Sequence, residues 1–354
     1  LIQAEGINGV AIVPGPNMLH LTGLHFHLGD RPTVLFILLD KPPVMVIPSI
    51  EILKVIQWKD LVTFPWNDEH GFHSAFLSAV RRLELGGRRI GIESYLMRHI
   101  EINSIQQSAP DCELVGADDL ISKSRLSKDE SEVARIQTAV IAAEKAMERA
   151  LAKFKPGMTE KTFKSVLQYA LLQEGAEGLS FDPIVASGPN AANPHATPSD
   201  RPITENEFFL CDWGATIDGY SSDITRTFAV GKVGAKMEEA YQTVLEANRA
   251  AREIAGPGVT CREVDEAARR VIESASYGDY FTHRTGHGLG LQVHEDPYIS
   301  ASNDQVLKPG MVFTIEPGIY LPDKFGVRIE DDVVVTEDGC RSLTTMSREL
   351  RRLF

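Results

Sequence analysis

Asp212-Trp-Gly-Ala-Thr-Ile-Asp-Gly-Tyr-Ser-Ser-Asp223 lies between two strand-like runs, Phe208-Phe-Leu-Cys211 and Ile224-Thr-Arg-Thr-Phe228. Asp218-Gly219 is a favoured two-residue hairpin turn. Counting back from that turn sets the register: Asp223 faces Gly214, and Asp212 faces Thr225. Alternation puts residues 212 and 214 on one face, which makes Asp212 and Asp223 diagonal neighbours there, roughly 7–8 Å apart at the backbone. The alternative is a solvated acidic hairpin. Phe208, Phe209, Leu210 and Trp213 argue instead for a buried setting, where two close carboxylates repel unless a cation lies between them.

A second acidic pair has the same form. Val312-Phe-Thr-Ile-Glu316 and Gly326-Val-Arg-Ile-Glu330 are strand-like runs joined through Pro322-Asp323-Lys324. A loop centred on Asp323 places Glu316 opposite Glu330, and the Pro317-Gly318 step is where that register can slip. Each glutamate follows an apolar stretch, and burying an unpaired carboxylate is costly. The third feature is Thr282-His-Arg-Thr-Gly-His-Gly-Leu-Gly-Leu-Gln-Val-His-Glu295, which holds His283, His287 and His294. Glycines flank His287, where they permit close backbone approach. His195, in Asn193-Pro-His-Ala-Thr197, is a further candidate.

Two aspartates, two glutamates and one histidine form an oxygen-rich donor set with one nitrogen. Such a set suits Mn²⁺, Co²⁺ or Zn²⁺ better than a thiolate site does. Four carboxylates neutralise two divalent cations, and two metals about 3.5–4 Å apart activate water and polarise the bond it attacks. The residues alone therefore point to a dinuclear metal hydrolase and do not name the bond.

Outward from these motifs, the chain reads as two parts. Residues 9–14, 33–39, 44–48 and 89–93 are strand candidates, and 73–85 and 99–108 are helix candidates, which predicts a small α/β domain. The polar stretch Ser122-Lys-Ser-Arg-Leu-Ser-Lys-Asp-Glu-Ser131 reads as a linker entering a helix over 128–153, with Ser127 and Glu130 as its capping box. The expected domains are therefore 1–122 and 123–354. Within the second, Pro156-Gly-Met-Thr159 and Pro257-Gly-Val-Thr260 each follow an Ala/Glu-rich helical stretch and precede another helix. This order suggests a duplicated α+β unit, whose junction is a natural place for a cleft.

The chain has 354 residues and a net charge of −13. No basic block supports nucleic-acid binding, no apolar run reaches membrane-helix length, and no signal peptide is visible. The four cysteines, Cys112, Cys211, Cys261 and Cys340, form no CxxC pair. Free thiols and a cytoplasmic location are the expectation.

Taken together, the motifs resemble the creatinase/aminopeptidase P/prolidase family of metallopeptidases. The resemblance rests on Pro16-Asn-Met-Leu-His-Leu-Thr-Gly23, on Asp212 with Ser222-Asp-Ile-Thr-Arg-Thr227, on Gly286-His-Gly-Leu-Gly290, on Ile315-Glu-Pro-Gly-Ile-Tyr320 and on Gly326-Val-Arg-Ile-Glu-Asp331. It implies an α+β pita-bread catalytic domain behind a smaller creatinase/prolidase N-terminal-like α/β domain. It also implies that Asp212 binds one metal, that Asp223 and Glu330 bridge two, and that His287 and Glu316 bind the other. Glu316 is then the proton acceptor, and His195, His294 and His283 line the substrate site. Arg328 holds the carboxylates, a role its planar fork suits. The implied reaction is hydrolysis of the Xaa-Pro bond at the N-terminus of dipeptides or short peptides, with Mn²⁺ expected first and Co²⁺ or Zn²⁺ as alternatives. The implied assembly is a homodimer.

Glu295-Asp-Pro-Tyr298 departs from some dipeptidases of this family, which carry an arginine in place of the tyrosine. An aminopeptidase P acting on longer Xaa-Pro peptides therefore stays open. The N-terminal domain argues against a methionine aminopeptidase, and the complete ligand set argues against a metal-free creatinase or a non-catalytic peptide-binding protein.

Overall fold

A computed structural model of the chain describes residues 2–3 and 5–354; Leu1 and Ala4, both within the expected N-terminal domain, lie outside the described residues. Contacts divide the chain into two compact units, Leu1–Arg125 and Leu126–Phe354.

The N-terminal unit is built on a six-stranded mixed sheet. Its strand order is Val62–Trp66, Val44–Pro48, Val34–Leu38, Gly9–Ile12, Arg89–Ile92 and Glu113–Gly116. Helices His73–Leu83 and His99–Ser108 contribute to one apolar core of this unit, and Pro16–Thr22 and Asp118–Ser122 to the other. The sheet's central strands are Val/Ile/Leu-rich because they are covered on both faces. Two strands are absent from the sequence reading, and both are edges. Val62–Trp66 carries Pro65, which a central strand excludes and an edge tolerates. Glu113–Gly116 has four residues and no fully buried position, so its apolar signal is weak.

In the C-terminal unit, helices Glu130–Leu151 and Glu160–Gln173 pack in one core, and Ala235–Ile254 and Cys261–Ser274 in another. Strands Glu207–Trp213 and Ile224–Val230 lie between these cores. Phe209, Cys211 and Trp213 enter the first core while Phe208 enters the second. The strand is therefore buried at every position, and the alternation of a half-exposed strand is missing.

The two halves turn matching corners. Helices Glu160–Gln173 and Cys261–Ser274 both have 14 residues and begin on a capping threonine, Thr159 or Thr260. Ahead of each, a glycine with φ 88° (Gly157, Gly258) donates its N–H to a distant carbonyl, Ile203 or Leu307.

The expected capping box at Ser127 and Glu130 is corrected. Asp129 caps the helix: its carboxylate accepts from the Glu132 N–H at 2.9 Å, and Glu132 accepts from the Asp129 N–H at 2.9 Å. Aspartate caps as well as serine does, and Ser127 is still extended, bridged to Met311, with the Lys128 N–H bonded to the Gly310 carbonyl.

Candidate metal centre

Two hairpins bring the acidic residues together. In the first, Asp218 (φ 50°) and Gly219 (φ 78°) both take positive φ, as the type I′ turn requires. The counted register holds on both sides of the turn: Thr216 pairs with Ser221, and Asp212 with Thr225. In the second, Gly318 pairs with Arg328, and Ile315 pairs with Asp331. Counting inward from either pair sets Glu316 opposite Glu330, so Pro317-Gly318 introduces no slip. The hairpins meet where the Glu330 N–H donates to the Thr225 carbonyl at 3.1 Å and the Thr225 hydroxyl donates to the Glu330 carboxylate at 2.6 Å.

His287 enters from a third strand, Gly286–Gly288. A Cβ at Gly286 would stand 1.8 Å from the Thr314 carbonyl oxygen, and one at Gly288 would stand 2.1 Å from that of Asp296. The flanking glycines are thus required for the strand to lie this close to its neighbours. Asp212, Asp223, His287, Glu316, Glu330, Arg328, His195, His283 and His294 all line one cavity of about 490 Å³, whose wall also includes Phe181, Ile184 and Val293.

Hydrogen bonding orients the histidines. His287 Nδ1 sits 3.1 Å from the Gly288 carbonyl and donates to it. Its Nε2 lone pair therefore faces carboxylate oxygens of Glu316 at 3.4 Å and Asp223 at 3.6 Å. Burial pushes the imidazole pKa down to about 3, so it is neutral. Ligand atoms of Asp223, His287 and Glu330 all lie within 4.8 Å of one another. Burial, followed by like charges, raises Asp223 and Glu330 well above the ordinary carboxylate range, and burial raises Glu316 to about 7. Buried oxygens Asp212 Oδ1 and Asp223 Oδ1 have no hydrogen-bond partner. An imidazole acceptor aimed at acceptor oxygens, beside orphaned carboxylate oxygens, is an arrangement that a cation resolves.

Arg328 is enclosed by partners. It donates to Asp212 Oδ2 at 2.5 Å, the Thr225 hydroxyl at 2.9 Å, the Tyr320 hydroxyl at 2.8 Å and the Pro194 carbonyl at 3.3 Å. His283 continues the chain. Its Nδ1 donates to the Arg284 carbonyl at 2.7 Å, and its Nε2 accepts from the Tyr320 hydroxyl at 2.9 Å. His294 lies 4.2 Å from the His287 ring, centroid to centroid. His195 stands exposed at the cavity wall.

Sequence reasoning singled out neither Tyr320 nor Arg284. Tyr320 was accessible in principle, because the second hairpin's register makes it the diagonal neighbour of Arg328. Asp332 was also missed: it is buried behind the site and accepts from the Asp223 N–H at 3.0 Å. Arg284 had no signal beyond its place among the histidines.

Comparison with known proteins gives the family. The profile of metallopeptidase family M24 matches residues 134–337, and that of the creatinase/prolidase N-terminal domain matches residues 1–127. The chain is 36% identical to an Xaa-Pro dipeptidase of Pyrococcus horikoshii over 349 residues, covering 99% of this chain and 96% of that one. A crystal structure of a dipeptidase from the same organism superposes with a TM-score of 0.95 at 38% identity, covering 99% and 98% of the two chains. An X-Pro aminopeptidase from Thermotoga maritima superposes at 0.86 with 33% identity, covering 99% of each. The chain belongs to metallopeptidase family M24, with a creatinase-like N-terminal domain and a pita-bread domain. That family implies divalent metal ions.

Proposed function

We propose that this chain hydrolyses the Xaa-Pro bond of dipeptides, with free-amine recognition at the substrate's N-terminus. The observation that carries the reading is the neutral His287, whose bare nitrogen faces two carboxylates. The named activities of the Pyrococcus and Thermotoga relatives support Xaa-Pro as the bond.

The donor set fits two divalent ions. Asp212 would hold one, His287 and Glu316 the other, and Asp223 and Glu330 both. When bound, such ions polarise the substrate carbonyl and make water acidic enough to attack near neutral pH. Glu316, whose carboxylate faces His287 in the cavity, takes the proton of the attacking water and returns it to the departing proline nitrogen. His294 and His195 steady the oxygen on which charge develops. Neutral His283, held by Tyr320 and the Arg284 carbonyl, keeps the wall beside Glu316 in place. Arg328 fixes Asp212 and prevents it from turning away from the substrate amine.

Mn²⁺ is the proposed ion, with Co²⁺ and Zn²⁺ as alternatives. The remaining proposals are a cytoplasmic homodimer with domains 1–122 and 123–354 that acts on small peptides and not on nucleic acid. No helix among the described residues is long and apolar enough to cross a membrane.

The test is metal-stripped protein reloaded with each ion and offered Ala-Pro, Ala-Pro-Ala and Ala-Ala-Ala. Release of alanine from Ala-Pro alone is the expected result. Cleavage of Ala-Pro-Ala at a comparable rate moves the reading to an aminopeptidase P type. Inertness toward all three with every ion ends it.

A further inference from the structure

We propose that Glu160, buried outside the cavity, is the positioning residue for His195: its carboxylate closes the loop that presents this histidine to the substrate. The inference rests on the Xaa-Pro reading and on the role given there to His195, and it deepens both.

His195 has no side-chain support of its own. It stands exposed at the cavity wall, and among the described residues its ring makes no hydrogen bond or ion pair. Its place is therefore set by the backbone that carries it, the loop of residues 188–198 that leaves strand Ile184–Ser187.

Glu160 grips both ends of this loop. It is fully buried, as is Ser187. Its Oε1 accepts from the Ser187 N–H at 2.8 Å and the Ser187 hydroxyl at 2.9 Å. Its Oε2 accepts from the Ser199 N–H at 2.9 Å and the Ser199 hydroxyl at 2.7 Å. From within the loop, the Asn190 side-chain amide donates to Oε2 at 3.0 Å. A carboxylate only accepts, at several lone-pair sites, and so suits a point where donors converge from two directions.

The chain of bonds continues to the histidine. The Asn193 N–H donates to the Asn190 carbonyl at 3.2 Å, and the His195 N–H donates to the Asn193 side-chain oxygen at 3.0 Å. Glu160 thus fixes the loop's two ends and, through Asn190 and Asn193, the residue at its middle. A catalytic group held this way is preorganised without any bond to its ring, which leaves the imidazole free for the substrate.

The other half of the unit repeats the device. Asp265, buried on helix Cys261–Ser274, accepts from the N–H and the hydroxyl of Thr285 at 3.1 and 2.7 Å, just ahead of the strand that carries His287. In each half, a buried carboxylate on the second helix takes the N–H and hydroxyl of one residue beside a histidine-bearing segment.

The experiment measures kcat and KM for Ala-Pro on wild type, E160Q, H195A and the E160Q/H195A double variant, compared at equal metal content. Glutamine replaces one acceptor oxygen with a donor nitrogen, so the donors at one end of the loop lose their partner. E160Q should lower kcat by about 10- to 100-fold, up to the cost of a misplacement of about 1 Å. KM should change little, because His195 acts where charge develops in the transition state. On the H195A background the same change should lower kcat little further, since residues acting as one unit are non-additive. Equal fold-losses on the two backgrounds would mean that Glu160 serves the fold alone, and would overturn the proposal. An unchanged kcat in E160Q would also overturn it. An H195A variant with wild-type kcat would remove the role of His195 and this proposal with it, while leaving the Xaa-Pro reading intact. A wild type inert toward Ala-Pro removes that reading, and the proposal falls too. If E160Q does not fold, S199A decides by the same comparison: a smaller loss of kcat that vanishes on the H195A background supports the proposal, and equal losses, or none, overturn it.

Discussion

Asp331 is surrounded by cations, whereas Asp223, Glu316 and Glu330 mostly face one another. Arg226 meets Asp331 Oδ1 at 2.8 Å, Arg348 meets Oδ2 at 2.6 Å, Arg252 lies 3.8 Å away, and Asn248 donates at 3.0 Å. Burial alone would raise this carboxyl, but Arg226 and Arg348 outweigh it and hold it below its ordinary value. The cavity carboxylates are raised instead, by burial first and for Asp223 and Glu330 by like charge next. One group is neutralised within the fold. The other has a charge deficit that the chain's own residues leave uncorrected, which is the signature expected of a site built for added cations.

The largest expected effects come from breaking each side of this comparison. Asp223→Asn should abolish metal retention, measured by elemental analysis, and lower kcat/KM by more than the roughly 100-fold typical of losing an outer-shell partner. In the metal-free state the same variant should melt higher than wild type, because one member of a repelling buried cluster is gone. Asp331→Ala should do the reverse. It leaves Arg226 buried and unpaired, and denaturant unfolding should show a loss of about 3–5 kcal/mol. Retained metal and activity in D223N, or an unchanged stability in D331A, would erase the distinction.

A smaller effect sharpens it. Glu316 rises from 4.5 to about 7, so the folded metal-free protein keeps a proton that the unfolded chain releases between those values. The stability this contributes is full below about pH 4.5 and is lost as pH rises through about 7. His283 and His287, lowered to about 3, contribute with the opposite sign, losing stability as pH falls below 6.5. Glu316→Gln retains both histidines, so the difference between variant and wild type isolates the carboxyl. Melting of the two metal-free proteins should show the variant gaining on wild type from pH 4.5 to above 7. A constant difference across that range would mean that Glu316 does not titrate there.

The acidic pair within each hairpin could be read from the sequence because a tight turn and period-two alternation fix register, and register fixes which carboxylates share a face. The glycines beside His287 were legible for a related reason, since close backbone approach leaves few other choices. The three-arginine enclosure of Asp331 was not. Arg226, Arg252 and Arg348 lie far apart in the chain, and nothing local marks them as sharing a partner. Asp332 belongs to the same kind of miss, because its importance comes from the second hairpin folding onto the first. Val62–Trp66 was hidden by Pro65, whose tolerance depends on an edge position that only the assembled sheet defines.

Thr225 joins the two groups, and its removal is the smallest and most discriminating test. Its carbonyl accepts from Arg226 at 2.9 Å, on the neutralised side. Its hydroxyl donates to Glu330 at 2.6 Å and accepts from Arg328 at 2.9 Å, on the cavity side. Thr225→Val preserves shape and the backbone bond to Arg226 while deleting only the hydroxyl. If the cavity carboxylates are metal ligands, the change frees Glu330 from its orienting donor, and metal affinity measured by chelator competition should weaken by about tenfold, the low end for an outer-shell partner. Stability should fall by only about 1 kcal/mol, the net worth of a hydrogen bond, because the Asp331 network is untouched. An unchanged metal affinity with a large loss of stability would mean that Thr225 serves the fold alone, and that the boundary between the two carboxylate groups lies on the cavity side of this residue.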